Sequence, residues 1–515
     1  MALAKIRNWM TSCSQEHASC NSLKNPILPR FVVQLRSSPS DQGNDNLNPI
    51  LRITESELSE KAPYIAFSYP WGVRKQPVQL MKNNINEMKH FINYKSLPRA
   101  IKDIIRLSQK FEINYIWIDV LCIVQDDPKV KKEQIHRMKN IFENSSLTVQ
   151  ALNIKSVHES FLLPRNHHVH EPLKLKYNEN NHIYLRDFKP QTAPTDSTGN
   201  RAWMYEEAVL PSRLLVYYRD QFTFRCGGQT QYEDGCQHES FSLSNPSDSR
   251  PLIISKSPAP PDGRLDYLAD WYKNILASYM PRLLTDPHDR LPAIGGVAQK
   301  VKPYIGGRYI AGIWESDLSW GLLWESDNGK AKSVSRKMER PIERRAPSWS
   351  WASVDGSVRY EFFKREKHMT GMEEISRSIS MDSIQVDDDG DILNYKILSV
   401  SARIFYAYFQ IIENSRRRFL VARRTFDSAK NERSDFPTQE ELNSSYARAK
   451  LDITDEECQH IWVWGLLLSH SVGLVVEPVG WREGKRVFKR LGVFNVIEKF
   501  WHSGLNEPRQ GAFLV

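Results

Sequence analysis

Two short runs of this sequence set acidic side chains where chemistry could use them. Tyr115–Gln125 is an almost unbroken apolar stretch, rich in β-branched and aromatic residues, with Asp119 as its one charge. A buried carboxylate is costly unless it is paired or hydrogen-bonded. Asp119 therefore either faces a crevice at a strand's carboxyl end, where ligands bind in open α/β sheets, or holds a neighbouring loop. In the second run, Arg201–Leu210, Glu207 could pair with Arg201 or Arg213, or with an amide at the start of its own helix. Ser68-Tyr69-Pro70-Trp71-Gly72 adds a hydroxyl, two aromatics and a glycine in one turn. Cys122 has no cationic neighbour in its apolar run, so an inert buried thiol is expected rather than a nucleophile. Cys13-x3-His17-x2-Cys20 offers three zinc-type donors, but a fourth is missing locally and no metal is expected. His167, His168 and His170 read as a solvated loop, and Trp71, Trp203, Trp349 and Trp351 read as core. Phosphate-loop, dinucleotide-fingerprint, nucleophile-elbow and His-Glu-x-x-His patterns are absent.

These residues need elements to position them. Tyr115–Gln125 suits a strand buried on both faces, closed by the turn Gln125–Pro128. Ala62–Tyr69 reads as a second apolar strand. Ile101, Ile104, Ile105, Leu107 and Phe111 mark a helix that starts at Leu97-Pro98. A further helix is expected over Lys129–Asn144, with Glu133 near its first turn, where a carboxylate gains from the helix dipole whatever its role. Leu147–Leu152 returns as a strand, so 64–152 reads as an α/β unit with a mostly parallel sheet. Arg201–Leu210 is a short amphipathic helix, followed by paired strands at Leu214–Tyr218 and Phe222–Cys226. Past the polar connection, Leu265–Leu284 is helical, and short strands and turns are expected beyond about 350. The expected organisation is an N-terminal segment (1–61), an α/β domain (62–226), a linker (227–264) and an α+β companion region (265–515).

Composition narrows the function classes. With 515 residues, 40% of them hydrophobic and 14 of them Trp, the chain can build sizeable cores. Its net charge of +9 comes from 70 basic residues scattered among 61 acidic ones. A solvated surface is expected rather than a nucleic-acid groove. Six cysteines and no leader-like start fit a reduced, cytoplasmic setting. No run approaches the ~18–20 apolar residues of a membrane span.

Three segments in order resemble the fungal heterokaryon-incompatibility (HET) domain: Tyr64–Gly72, Trp117–Asp126 with Met138–Phe142, and Arg201–Glu207 with Pro211-Ser212-Arg213. The Cys/His opening, Asp289-Arg290-Leu291, Ala311–Trp314 and Pro347–Ser353 extend the resemblance along the chain. Pro70, Ala202 and Glu206 depart from the family's usual Cys or Thr, Gly and Gln. The resemblance implies a role in non-self recognition and regulated cell death, with other incompatibility proteins or self-association as partners. The family is in turn distantly similar to TIR domains, which implies a flavodoxin/TIR-like, mostly parallel sheet. Some TIR domains cleave NAD at the glycosidic bond with a Glu on the helix after a central strand, which implies NAD as substrate and Glu133 as the matching position. Asp119 and Glu207 are the other catalytic candidates. Ser68, Tyr69, Trp71 and Gly72 would then rim the nucleotide site, with Cys122 and Gln125 beside them. The alternative is a non-enzymatic interaction module that would survive loss of those carboxylates.

Overall fold

The computed structural model describes residues 2–17, 26–36, 50–56, 60–74, 76–163, 173–178, 181–185, 201–219, 221–226, 230–233, 264–327, 338–360, 379–380, 398–411, 418–422, 447–453, 460–468, 472–496 and 509–515. They fall into two compact units, Met1–Ile254 with Pro292–Val297, and Ser255–Leu291 with Ala298–Val515.

The first unit opens with α1 (Ala2–Glu16), β1 (Phe31–Arg36), β2 (Ile50–Glu55) and β3 (Tyr64–Ser68). It continues through α2 (Ile85–His90), α3 (Arg99–Phe111), β4 (Tyr115–Ile118), α4 (Asp119–Cys122), α5 (Pro128–His136), α6 (Met138–Asn144) and β5 (Leu147–Ala151). The hairpin β6 (Leu173–Lys176) and β7 (His182–Leu185) stands apart from the main sheet. α7 (Trp203–Val209), β8 (Arg213–Tyr217), β9 (Phe222–Cys226) and β10 (Thr230–Tyr232) complete the unit's sheet. Its strand order is β10-β9-β8-β5-β3-β4-β1-β2. β3 pairs in parallel with β4 and β5, and β5 with β8, while the strands outside this quartet pair antiparallel.

Every residue of β3, β5 and β8 is buried. That accounts for their continuous apolar runs, since a parallel sheet covered on both faces has no solvent side to mark by alternation. α3 supplies cover with Ile101, Ile104, Ile105 and Leu107. Its one buried acid, Asp103, accepts bonds from the Phe161 and Leu162 amides at 3.1 and 3.4 Å, which satisfies the charge and fixes the loop after β5.

Numbered among themselves, the parallel strands lie in the order 2-1-3-4. The chain leaves β3 for β4 on one side and returns to β5 on the other. A crevice opens outside the carboxyl ends of strands where the connections diverge in this way.

Two elements differ from the sequence expectation. The strand predicted over Tyr115–Gln125 stops at Ile118, and Asp119–Cys122 is a helical turn whose first amide, Val120 N, is met by the Asp119 side chain at 2.7 Å. Complete burial there satisfies an apolar helical turn as well as a strand. The helix expected over 129–144 breaks at Arg137 into α5 and α6. Asp127 caps α5 by accepting from Lys129 N and Val130 N, both at 3.1 Å, with Pro128 in the first turn.

The second unit departs further from the short strands expected of it. Leu398–Ile411 is 14 residues long, and Val472–Arg482 and Lys485–Val496 form a long hairpin. Pairing runs from Leu398–Ile411 through Arg418–Ala422, Ala447–Leu451, Lys485–Val496, Val472–Arg482 and His460–Leu467, then back to Leu398–Ile411. The sheet is thus barrel-like, and closure removes the free edges that long strands would otherwise expose. A helical stretch over Arg264–Tyr279 buries Trp271, which meets Trp314 edge-on at 5.4 Å. Trp351 donates its indole N–H to Gly312 O at 2.6 Å, so the Trp motifs here are core. Among the described residues, no helix is long and apolar enough to cross a membrane.

Candidate functional site

Ser68 ends β3 and stands opposite Gln150 of β5 in the parallel register. Phe67 stands opposite Ile118 of β4, so Asp119 begins the next residue level at the same end of the sheet. α7 carries Glu207 to this edge, where its Oε2 accepts a hydrogen bond from Ser68 Oγ. Gln150 Nε2 donates to Ser68 Oγ at 3.2 Å and to Met204 O at 3.3 Å, tying hydroxyl and helix together. Ser68, Asp119, Gln150 and Glu207 thus meet at the carboxyl ends of β3, β4 and β5.

The Tyr69–Gly72 turn folds over Asp119. Trp71 Nε1 donates to Asp119 Oδ2 at 2.7 Å, while Asp119 Oδ1 takes the Val120 amide. Asp119 therefore holds the neighbouring loop and also lies at the strand's end. The Tyr69 hydroxyl is buried beside Asp119. Gly72 has φ +81°, and a Cβ there would lie 2.6 Å from Ser156 Oγ. Gly72→Ala is expected to cost at least about 1–2 kcal/mol from the left-handed backbone alone. Urea denaturation against wild type measures it, and an unchanged midpoint would refute the fit.

Asp119, Glu207, Arg201 and Trp71 are each half-buried, surrounded by protein yet still reached by solvent. Burial pushes the Glu207 carboxyl up to about 7, opposed by the Ser68 bond and the Arg201 charge and aided by the Asp119 charge. Burial also raises Asp119, opposed by its bonds from Trp71 and the Val120 amide. The carboxyl ends of these strands thus gather two carboxylates, a cation, a hydroxyl and an indole. This set can stabilise a developing positive charge, and it can move a proton near neutral pH.

Glu206, one residue earlier, faces away from solvent. It is 2% exposed, accepts the Gly296 amide and leaves Oε2 without a bonding partner. Gly296 leaves no room for a Cβ against the Glu206 carboxylate. Burial, with Glu207 beside it, raises Glu206 from 4.5 to about 8. The folded chain therefore binds this proton more tightly than the unfolded chain. The stability it contributes is complete below about 4.5 and is lost as pH rises through about 8. Glu206→Gln is expected to flatten the fall in Tm across that window, read from melting curves at a series of pH values. A slope identical to wild type would exclude Glu206 as its source.

The remaining sequence candidates fall elsewhere. Glu133 is exposed on α5. Cys122 is fully buried behind β4, and burial pushes its thiol to about 12, so it neither lines the crevice nor acts as a nucleophile. Gln125 spends its side-chain amide on Asp119 O at 3.1 Å and Ile123 O at 3.0 Å, which fixes the α4 turn beneath Asp119. Arg213, a candidate partner for Glu207, instead bonds Ser14 Oγ at 2.9 Å. His167, His168, His170 and Cys20 lie outside the described residues. Sequence reasoning named Arg201 as a possible partner of Glu207, and its charge does act on that carboxylate, but it missed Gln150 as a member of the site. Gln150, a polar residue inside the apolar run Leu147–Leu152, was the available signal.

Residues 64–207 match the family described as Heterokaryon incompatibility protein (HET). This segment contains Ser68, Asp119, Gln150, Arg201 and Glu207. Over 103 residues the chain is 28% identical to the Heterokaryon incompatibility protein 6, OR allele, of Neurospora crassa. That alignment takes in 19% of this chain and 15% of the N. crassa protein. No solved structure matches the chain.

Proposed function

We propose that this HET-type domain hydrolyses the glycosidic bond of NAD or a related nucleotide, and that this activity serves an incompatibility-type role in non-self recognition and regulated cell death. The carrying observation is Glu207: half-buried at the switch point of a parallel sheet, bonded to Ser68, with its carboxyl raised to about 7. The 2-1-3-4 strand order is that of flavodoxin-like sheets, in which ligands bind outside the carboxyl ends between the first and third strands. That order supports the TIR-like reading of the fold. The role in incompatibility rests on the HET family match and on the likeness to the N. crassa protein.

The resemblance to TIR domains asks for a Glu on the helix after a central strand. Glu133 answers it in sequence, but it is exposed on α5. Glu207 answers it better, because α7, which leads from the β6–β7 hairpin into the parallel strand β8, turns its carboxylate to the strand ends. Loss of nicotinamide leaves oxocarbenium character on the ribose, which the Glu207 carboxylate would stabilise before water attacks. Ser68 orients that carboxylate and Arg201 keeps part of it ionised. Trp71, fixed by Asp119, offers a ring face at the rim for a base or the nicotinamide.

The test is release of nicotinamide from NAD by the purified full chain, beside Glu207→Gln and Glu133→Ala. Release that needs Glu207 but not Glu133 supports the reading. A wild-type chain that releases none at high concentration, and whose cell-killing in a fungal host survives Glu207→Gln, assigns the domain to binding instead.

A further inference from the structure

Away from the crevice, Cys13, His17 and Cys226 bring their ligand atoms within 4.8 Å of one another. We infer that these three residues hold a zinc ion that fastens α1 to β9 of the first unit's sheet. Cys13 lies in the last turn of α1, and His17 follows four residues later, which brings both to one side of the helix end. Cys226 ends β9, 209 residues along the chain from His17, and its Sγ lies 3.2 Å from His17 Nδ1. Tetrahedral zinc with bonds of about 2.1–2.3 Å holds neighbouring donors about 3.5–3.8 Å apart, so the cluster closes on an ion with small shifts.

The donor set is soft, two thiols and an imidazole, which favours zinc over oxygen-seeking cations. Both cysteines are buried, at 1% and 2% exposure, and His17 is half-buried, which leaves an entry path. Arg213 Nε donates to Cys13 Sγ at 3.3 Å. Such an outer-shell donor favours the thiolate form that a metal needs.

The position argues for a structural ion. Arg213 begins β8 and stands opposite Cys226 in the antiparallel register. β8 runs parallel to β5, so the cluster lies at the opposite end of the strands from Ser68 and Glu207. One turn earlier on the same side of α1, Trp9 packs on Phe222 of β9 with ring centres 5.5 Å apart. The ion would thus clamp the end of a helix that already rests on β9.

The experiment uses the full chain, purified under reducing conditions without chelator, with metals counted by mass spectrometry. One zinc per chain is expected. Cys226→Ser should bind zinc more weakly than wild type by more than the roughly 10–100-fold that loss of an outer-shell partner costs. His17→Cys preserves a three-ligand set and should retain the ion, so loss in the first variant cannot be put down to any change at this site. Cobalt added to chelator-stripped wild type should give a thiolate charge-transfer band, a readout independent of whether the variants fold. The inference is overturned by a wild type that neither carries zinc nor gives that band, by full zinc occupancy in Cys226→Ser, by copper or iron in its place, or by a Cys13–Cys226 disulfide seen as a loss of two hydrogens.

Discussion

Glu207→Gln is expected to lower kcat/KM for nicotinamide release by about 10²–10⁴-fold, the span that a positioned carboxylate contributes. Gln keeps the size of the side chain and an oxygen that can accept from Ser68, so Tm should change little. The loss would then be chemical rather than structural. Wild-type turnover should rise with pH through about 7, as Glu207 ionises. Asp119→Asn removes a like charge that helps to hold Glu207 up, and should move that rise to lower pH. Its amide oxygen can still accept from Trp71, so the loop keeps its anchor. A Glu207→Gln chain with wild-type kcat/KM would exclude Glu207 from the proposed reaction. A pH profile flat between 5 and 9 would exclude it as the titrating group, because a single carboxylate near 7 completes most of its titration over about two units inside that range.

Arg490→Ala should produce the largest stability loss, about 3–5 kcal/mol, as expected when one partner of a buried ion pair is removed. Arg490 is fully buried in the barrel-like sheet of the second unit. Its Nε and Nη2 reach Asp452 at 3.1 and 3.0 Å, and its remaining donors bond the carbonyls of Leu322 and Trp324. The guanidinium also lies 3.7 Å from the centre of the Trp324 ring. Truncation strands two carbonyls and leaves Asp452 to Arg340 alone, at 3.2 Å. Arg490→Lys should recover little, because a point charge cannot serve carboxylate and carbonyls in one fork. For a unit of this size the shift is on the order of 10 °C in Tm, read by calorimetry on the full chain. A shift confined to a degree or two would mean that water replaces the network at little cost.

The sequence by itself determined the parallel core and the identity of the chemical groups. Continuous apolar runs at Tyr64–Ser68, Tyr115–Ile118 and Leu147–Ala151, spaced by helix-period segments, specify buried parallel strands through local composition alone. Asp119 stood out because one charge in such a run must have a partner. The end of that strand was not legible, since a fully buried helical turn and a fully buried strand carry the same apolar pattern. The long strands of the second unit were hidden for a related reason: their partners lie far away in sequence, as Arg403 and Leu467 do. Only the tertiary structure set the carboxylates apart by environment. Glu133 and Glu207 look alike in the sequence, and what separates them is that α7 lies against the end of β3 while α5 exposes its acid to water. Burial and a hydroxyl 139 residues away set the chemistry of Glu207. The packing of α1 on β9 likewise brought His17 to Cys226, because long-range neighbours are fixed by tertiary contacts that no local pattern encodes.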